Sequence, residues 1–338
     1  MLMKEVIAPV SRQTLKQELN ERLFLRPTNK GGNEIYDFHA SEAPNVMREI
    51  GRIREIAFRR GGGGTGEPID VDRFDMSEPY RQLIVWDPDN EEIVGGYRYI
   101  FLRDAAWLDS GEPDIVSTHM FGYSEEFLNN YINNTAELGR AFIHPLYHTR
   151  DMGIKSIVGL DNLWDGLGAL VYNHPELKHM IGKVTIYPDY NTRARELLYV
   201  FLERFFSDSS GLLKLRHPIT ISPEAYEEAD RLFEGDDKQS NYSRLKHAVR
   251  EKGALTPPLF NAYIGLSNTM QTFGTGINDE FGNIYDTGMM INVDDIFPEK
   301  TERYIQPYID YLKQKESKNC MNRTSAKQQI GSTSLGLM

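Results

Sequence analysis

Cysteine, long apolar runs and excess positive charge are all scarce in this chain of 338 residues. The single cysteine, Cys320, excludes an intrachain disulfide and a cysteine metal cluster, which fits a reducing cytoplasm. The chain has no run of about 18 apolar residues, so we expect no membrane-spanning helix. A formal net charge of −11 argues against a general nucleic-acid-binding protein, because neutralising phosphates requires a basic surface. Any phosphate-binding site must then be a local basic patch.

The remaining composition is that of a folded protein. Hydrophobic residues make up 40% and charged residues 26% of the chain, an ordinary balance for a globular fold. The first 25 residues are interrupted by charges and lack the apolar core of a secretory signal, so we expect a cytoplasmic protein. Apolar and basic residues mix in this segment. That mixture leaves open a peripheral contact with the inner membrane surface, although a packed amphipathic helix explains it more simply.

Apolar periodicity and turn residues predict alternating helices and strands. Residues 41–60 predict a helix. The sequence GGGGTGEP at 61–68 predicts a mobile loop and not a cofactor site, because it lacks the Gly-Lys-Ser/Thr ending of a phosphate-binding P-loop. Residues 81–86 and 92–102 predict a hairpin. The elements predicted next are a strand at 134–143, a helix at 152–172, a strand at 184–187, helices at 192–206, 223–233, 242–252 and 259–266, strands at 269–273 and 288–293, and a helix at 298–313. The order strand, helix, strand is typical of a parallel pair in a mixed α/β sheet.

The segment AELGRAFIHPLYHTRDMGIK, residues 136–155, joins a predicted strand to a predicted helix. The start of a helix offers unpaired backbone N–H groups and the positive end of the helix dipole, which favour an anionic group. Arg150 and Lys155 add two cations, and Gly153 lets the backbone approach a ligand closely. We therefore predict that Arg150, Gly153 and Lys155 bind a phosphate group.

Charged residues also recur at the edges of the predicted elements in the first half of the chain. They form the ordered series Arg54-x-x-x-Phe58, Asp72-x-x-Asp75, Gly95-Gly96-Tyr97-Arg98 and Glu137-x-x-Arg140. This series resembles the acyl-homoserine-lactone synthases and the N-acyl amino acid synthases of the GNAT acyltransferase superfamily. Residues 52–294, including PPLFNAYIGL and FGNIYDTGMMINVDDI, are more closely similar to the hemolysin-like GNAT proteins that make lipoamino acids, the ornithine and glycine N-acyltransferases.

The resemblance implies a GNAT-type mixed central sheet flanked by helices, with a C-terminal α+β extension. The expected parts are an N-terminal helical segment at 1–40, an acyltransferase core at 41–216, an extension at 217–316 that completes the acyl and acceptor pocket, and a disordered tail at 317–338. The implied activity is transfer of a long-chain, often 3-hydroxylated, acyl group from acyl carrier protein to the α-amine of glycine or ornithine. Acyl carrier protein and the amino acid would be the partners, and the phosphate bound by Arg150, Gly153 and Lys155 would belong to the carrier protein's phosphopantetheine arm. The resemblance implies no permanently bound cofactor and no metal.

One departure from the family pattern bears on the acyl donor. In GNAT proteins that use acetyl-CoA the pyrophosphate turn reads Gln/Arg-x-x-Gly-x-Gly/Ala, and Lys155 replaces the small last residue here. A bulky cation would crowd a pyrophosphate, so acyl-CoA is the less favoured donor. The lysine could instead pair with the single phosphate on acyl carrier protein.

The reaction requires a proton acceptor, because an amine attacks a thioester only when neutral and α-amines have pKa values of about 8 or above. We predict that Glu137 is this catalytic base. It precedes Gly139, which permits a β-bulge that could direct backbone N–H groups at the thioester oxygen. The alternative is that Glu137 only pairs with Arg140 or Arg98.

The other members of the charged series are predicted to bind the acceptor: Arg54, Asp72, Asp75, Arg98 and Arg140. Asp72 and Asp75 either recognise an ammonium group or hold the glycine-rich loop against Arg98. Arg54 either reaches the same network or faces solvent from its helix.

The general acid and a metal site are less well indicated by the sequence. Many GNAT proteins place the tyrosine that protonates the leaving thiolate seven residues after an asparagine equivalent to Asn191, where this chain has Leu198. Tyr199 and Tyr187 are the remaining candidates. His144 and His148 have the spacing of a helical metal pair, but Pro145 between them disfavours that geometry.

Two other functions remain open from sequence. An autoinducer synthase would use S-adenosylmethionine and form a lactone, although the long C-terminal half exceeds what those short enzymes need. A hemolysin-like lipid-binding protein would have no catalytic activity. A Glu137→Gln variant separates an enzyme from a pure binder, since a pure binder should keep its lytic effect and an enzyme should lose it.

Overall fold

The central structure is an eight-stranded sheet within the described residues of the computed structural model, which are 3–149, 152 and 154–318. The strands in chain order are β1 Phe24–Pro27, β2 Glu34–Phe38, β3 Arg81–Asp87, β4 Glu92–Phe101, β5 Phe121–Tyr123, β6 Thr135–Ile143, β7 His179–Ile186, β8 Leu213–Leu215, β9 Gln271–Asn278 and β10 Ile284–Asn292. The sheet has the order β1-β2-β3-β4-β6-β7-β10-β9, while β5 and β8 form a separate pair.

Helices cover both faces of this sheet. They are α1 Arg12–Glu18, α2 Pro44–Arg60, α3 Glu125–Asn130, α4 Ile154–Asn173, α5 Thr192–Phe206, α6 Pro223–Leu232, α7 Lys238–Glu251, α8 Pro258–Ile264 and α9 Pro298–Tyr304, followed by helical residues 306–318. Helices α4 and α5 pack on one face of the sheet through one cluster of buried hydrophobic residues, and α1 and α2 pack on the other face through a second cluster. Among the described residues, no helix combines the length and the apolar content needed to cross a bilayer.

The hairpin shows how local chemistry sets the elements. Asp87 Oδ1 accepts hydrogen bonds from the backbone N–H groups of Asp89 at 3.0 Å and Asn90 at 3.2 Å, which closes the turn between β3 and β4. Residues 82–87 are all buried, because helices cover both faces of β3. Helix α5 starts where Asn191 Oδ1 accepts from the Ala194 N–H at 3.0 Å. The predicted hairpin and the predicted helix at 192–206 are confirmed.

The strands β6 and β7 form the parallel pair of the sheet, and the other paired neighbours in the sheet are antiparallel. Helix α4 provides the crossover between them. The expected mixed α/β fold is therefore confirmed. Strands β9 and β10 pair onto β7, so the C-terminal half extends the same sheet, a question that the sequence left open.

Several expected elements differ from the structure. The N-terminal segment predicted as helical contains α1 but also β1 and β2, which pair antiparallel and continue onto β3. The sequence did not predict β5, α3 or β8. Strand β7 begins at His179, earlier than expected, because residues 179–182 pair with β6 and β10. Of the tail predicted to be disordered, residues 317–318 continue a helix and 319–338 lie outside the described residues.

Candidate functional site

The parallel strands β6 and β7 separate halfway along their length. Their register runs from Thr135 opposite His179 to Leu138 opposite Gly182, and Gly139 and Lys183 are the first residues beyond it. The gap opens toward the start of α4. A split between two central strands exposes backbone on both sides, so it can hold an extended ligand between them.

A β-bulge lies on β6 at this split. Gly139 pairs with Arg98 and Phe142 with Gly96, so Arg140 and Ala141 together stand opposite one residue of β4. Arg140 has a φ of 50°, in the left-handed region that side-chain-bearing residues seldom adopt. The bulge predicted beside Glu137 is confirmed. It puts the backbone of Arg140 and Ala141 outside the regular register with β4, beside the split.

Three adjoining cavities lie at the split. The apolar cavity, about 570 Å³, is lined by Leu160 and Leu163 of α4 and by Pro257, Pro258 and Leu259. The central cavity, about 150 Å³, shares Ala141, Thr185, Tyr187 and Leu259 with the apolar cavity. The polar cavity, about 570 Å³, shares Val116, Arg140, Lys183, Asn278 and Phe281 with the central cavity. These shared residues place the three cavities side by side along the split, and we call them together the groove, with one apolar and one polar end.

Glu137 lines the central cavity and is buried, with 5% of its surface exposed. Its Oε1 accepts from the Ser117 N–H at 2.8 Å and its Oε2 from the Val116 N–H at 3.2 Å. Neither Arg98 nor Arg140 forms an ion pair with it in the described part of the chain. The carboxylate therefore anchors the short helix at 116–119, and each oxygen keeps a further acceptor position.

The residues predicted to bind the acceptor form one ion-pair network beside the central cavity. Arg54 Nη1 lies 2.7 Å from Asp75 Oδ1, and both side chains are fully buried. Arg98 Nη1 lies 2.6 Å from Asp72 Oδ1 and 3.0 Å from Asp75 Oδ2. Arg140 Nη2 completes the series, 3.3 Å from Asp72 Oδ2. Asp72 and Asp75 thus hold the segment after the glycine-rich loop against Arg98. The alternative that Arg54 faces solvent from its helix is wrong, because its side chain is fully buried.

The network contains one residue that the sequence did not indicate, Asp70. Its carboxylate is fully buried and lies 3.1 Å from Arg140 Nε. Burial raises the pKa of Asp70, although the positive charges of Arg140 and Arg54 act to lower it. Burial also favours a raised pKa for Asp75, but Arg54 and Arg98 outweigh it and hold that pKa well below its usual range. The network is therefore ionised at Asp75, and it fixes α2, the loop at 70–75, β4 and β6 relative to one another.

The glycine-rich loop is packed rather than solvated, although the sequence predicted a mobile loop. A Cβ atom on Gly61 would lie 2.6 Å from the Tyr187 ring, and one on Gly63 would lie 3.0 Å from it. Glu55 accepts from the Thr65 N–H at 3.0 Å and the Gly66 N–H at 2.8 Å, which holds the far end of the loop. The missing side chains let the loop cover Tyr187 at the central cavity.

The predicted phosphopantetheine site is described only at Lys155, since Arg150 and Gly153 lie outside the described residues. Lys155 Nζ contacts Asp87 and lies 2.8 Å from Asp89 Oδ2, at the turn between β3 and β4.

The two histidines with the spacing of a metal pair have different surroundings. His144 Nδ1 accepts from the Leu146 N–H at 2.9 Å and so caps a short helix, while His148 lines the apolar cavity.

The two candidates for the general acid lie in different places. Tyr187 lines both the apolar and the central cavity, and burial together with Asp286 and Asp189 raises its pKa to about 12. Tyr199 lines a separate cavity of about 300 Å³ and packs near Tyr285. Only Tyr187 of these two therefore adjoins the split.

Lys183 and Asp286 line the central cavity and were missed from sequence. Lys183 Nζ lies 3.3 Å from Asp286 Oδ2, and Asp286 also accepts from Thr185 Oγ1 at 2.6 Å and Asn278 Nδ2 at 2.9 Å. Burial alone would raise the pKa of Asp286, but Lys183 and these hydrogen bonds leave it below its usual value. The signal in the sequence that could have indicated Lys183 was a charged residue inside the buried strand HMIGKVTI.

Comparison with known proteins gives consistent matches. Residues 53–155 match the acetyltransferase (GNAT) domain family. The chain is 47% identical over 309 residues to a glycine N(alpha)-acyltransferase of Bacteroides thetaiotaomicron, with 91% of each chain covered. It is 44% identical over 308 residues to a glycine N(alpha)-acyltransferase of Phocaeicola vulgatus, covering 91% of this chain and 94% of that one.

Solved structures match more distantly. A CoA-dependent acyl-homoserine lactone synthase with SAM and isopentyl-CoA matches at a TM-score of 0.35 and 10% identity, covering 82% of this chain and 90% of that one. An N-acyl amino acid synthase from uncultured soil microbes matches at a TM-score of 0.37 and 9% identity, covering 78% and 93%.

Proposed function

This chain belongs to the GNAT acyltransferase family that includes the two glycine N(alpha)-acyltransferases, and from that premise we propose that it moves a long-chain acyl group from acyl carrier protein to the α-amine of glycine. The observation that carries the proposal is the groove of adjoining cavities at the β6 and β7 split. Its apolar end suits an acyl chain and its polar end suits a charged amino acid. Glycine is favoured over ornithine as the acceptor because both relatives are named for glycine.

The thioester would lie at the split with its acyl chain in the apolar cavity. The N–H groups of Arg140 and Ala141, which lie outside the regular register with β4, would donate to the carbonyl oxygen as negative charge develops there. The amine would enter from the polar cavity and attack directly, so no acyl-enzyme forms. Glu137 would accept the amine proton, either directly or through one water, because it lies on the same strand at the central cavity.

Tyr187 would protonate the leaving pantetheine thiolate. Its pKa of about 12 keeps the hydroxyl protonated across the usual assay range, so the donor proton is always present. Replacing Tyr187 with Phe should lower kcat by about 10- to 100-fold with little change in KM. The matched control is Tyr199→Phe, which removes a hydroxyl outside the groove and should leave kcat unchanged. Equal losses in both variants would contradict the role of Tyr187.

The same pKa sets an expected pH dependence. Because the tyrosine stays protonated up to about pH 11, its ionisation should not produce a fall in kcat on the alkaline side of the assay range. A drop in wild-type kcat near pH 9 that disappears in Tyr187→Phe would show that the hydroxyl ionises much earlier and would contradict the assignment.

Acyl carrier protein is proposed as the donor because of charge. Lys155 is already paired with Asp87 and Asp89, so this turn has a net negative charge. The pyrophosphate and 3′-phosphate of acyl-CoA would be repelled more strongly than the single phosphodiester of a carrier-protein arm. No protein-bound cofactor is needed for this reaction.

Mass spectrometry of product mixtures tests the proposal. The purified protein is incubated with palmitoyl or 3-hydroxypalmitoyl carrier protein, or with the matching acyl-CoA, and with glycine, ornithine or another amino acid. We expect N-acylglycine as a free carboxylate, formed faster from the carrier protein. No product from any donor and amine would overturn the proposal, and a lactone formed with S-adenosylmethionine would indicate an autoinducer synthase instead.

A further inference from the structure

We propose that Lys183 binds the carboxylate of the amino-acid acceptor and thereby makes the enzyme select amino acids over simple amines. This inference rests on the proposed function. It concerns the recognition of the acceptor rather than the chemistry of the thioester.

The position of Lys183 is the first argument. It is the first residue of β7 beyond the paired register, directly across the opening from Gly139. Its side chain lines both the central and the polar cavity. In an α-amino acid one carbon joins the amine to the carboxylate, so a cation at the opening would hold the amine close to the bulge on β6.

The second argument is the pairing of the other cations that line these two cavities. Arg98 and Arg140 are bound within the aspartate network. Arg73 pairs with Asp114 at 2.6 Å and Arg216 with Glu112 at 2.7 Å. These arginines have carboxylates of their own, which leaves less of their charge for a ligand.

Lys183 is paired less completely. Among the described residues its one carboxylate partner is Asp286, which already accepts hydrogen bonds from Thr185 and Asn278. Its hydrogen bond to Met120 Sδ is long, at 3.7 Å. A lysine ammonium has three donors, so at least one remains for an anion. The side chain is only 16% exposed, where a charge-assisted hydrogen bond is stronger than in water.

Charge balance also favours a zwitterion. Lys183 and Asp286 neutralise each other, while Glu137 has no cationic partner among the described residues. The carboxylate of a zwitterionic amino acid can approach Lys183 while its ammonium group approaches Glu137. An amine without a carboxylate would leave Lys183 in its pair with Asp286 but would give its remaining donor no anion to bind, so it would lack that charge-assisted hydrogen bond.

The test compares glycine with glycinamide, which keeps the amine but has no carboxylate, at equal concentrations of free amine. The variant is Lys183→Met, and the matched control is Lys178→Met, which removes an exposed lysine just before the same strand. The wild type and the control should prefer glycine by at least about 100-fold in kcat/KM. In Lys183→Met, kcat/KM for glycine should fall by about 100-fold, mainly through KM, with glycinamide changing by less than about threefold.

Each contrary outcome has a distinct meaning. An unchanged KM for glycine in Lys183→Met overturns the inference, and so does an equal loss for glycine and glycinamide, which would indicate a structural role. Both outcomes leave the proposed function intact. A wild-type protein that acylates neither these nor any other amine would overturn the proposed function, and the inference with it.

Discussion

Replacing Glu137 with glutamine should lower kcat for glycine acylation by about 1000-fold near neutral pH, because the amide cannot accept the amine proton. KM should change less than kcat, because glutamine keeps the shape of the side chain although it no longer attracts the ammonium group. The loss should shrink as the pH rises toward the pKa of the glycine amine, where free amine becomes abundant. Steady-state rates across this pH range provide the measurement.

Two controls separate proton transfer from anchoring. Glu176→Gln alters a carboxylate outside the three cavities that pairs with Arg103, and it should retain most of the activity. Thermal unfolding shows whether Glu137→Gln loses the contacts to the N–H groups of Val116 and Ser117. A Glu137→Gln protein with wild-type kcat would contradict the role of Glu137. A pH-independent loss accompanied by a lower melting temperature would assign it to anchoring alone.

Replacing Arg54 with methionine should lower the free energy of unfolding by about 3 to 5 kcal/mol. Arg54 and Asp75 are fully buried at 2.7 Å, and the change leaves Asp75 with Arg98 as its remaining cation and Gln82 without its donor. Removing one partner of a buried ion pair costs far more than removing an exposed one, because the remaining charge stays desolvated. Urea unfolding at equilibrium provides the measurement.

The matched control is Arg22→Met, whose ion pair with Glu42 is solvent-exposed on the arginine side. This variant should lose less than about 1 kcal/mol. A double variant, Arg54→Met with Asp75→Asn, should lose less than the sum of its single changes, because it leaves no unpaired charge. A loss below about 1 kcal/mol for Arg54→Met would contradict the structural role of the network.

Local chemistry made some of the fold predictable from sequence. The hairpin follows from Asp87 and the turn residues after it, and α5 from Asn191 and an apolar helical period. Strands β1 and β2 were missed because they are four and five residues long and include Arg26, Pro27 and Asp37. Strands β5 and β8 have three residues each and are defined by their pairing to each other, which no local pattern encodes.

The candidate site was predictable to a similar extent. The ordered series of charged residues led to Arg54, Asp75 and Arg98, which the fold does bring together. Lys183 and Asp286 were missed because they meet through the pairing of β7 with β10, which are about a hundred residues apart in the chain. The packing of the glycine-rich loop on Tyr187 likewise depends on a distant partner.

A crystal structure with a bisubstrate analogue, an N-acylglycine joined through a stable thioether to phosphopantetheine, locates the reaction site most directly. If the groove is that site, the junction of the analogue lies between Ala141 of β6 and Tyr187 just after β7, with its acyl chain along Leu163 and Leu259. Density for the analogue outside the split, such as in the cavity beside Tyr199, would contradict this placement.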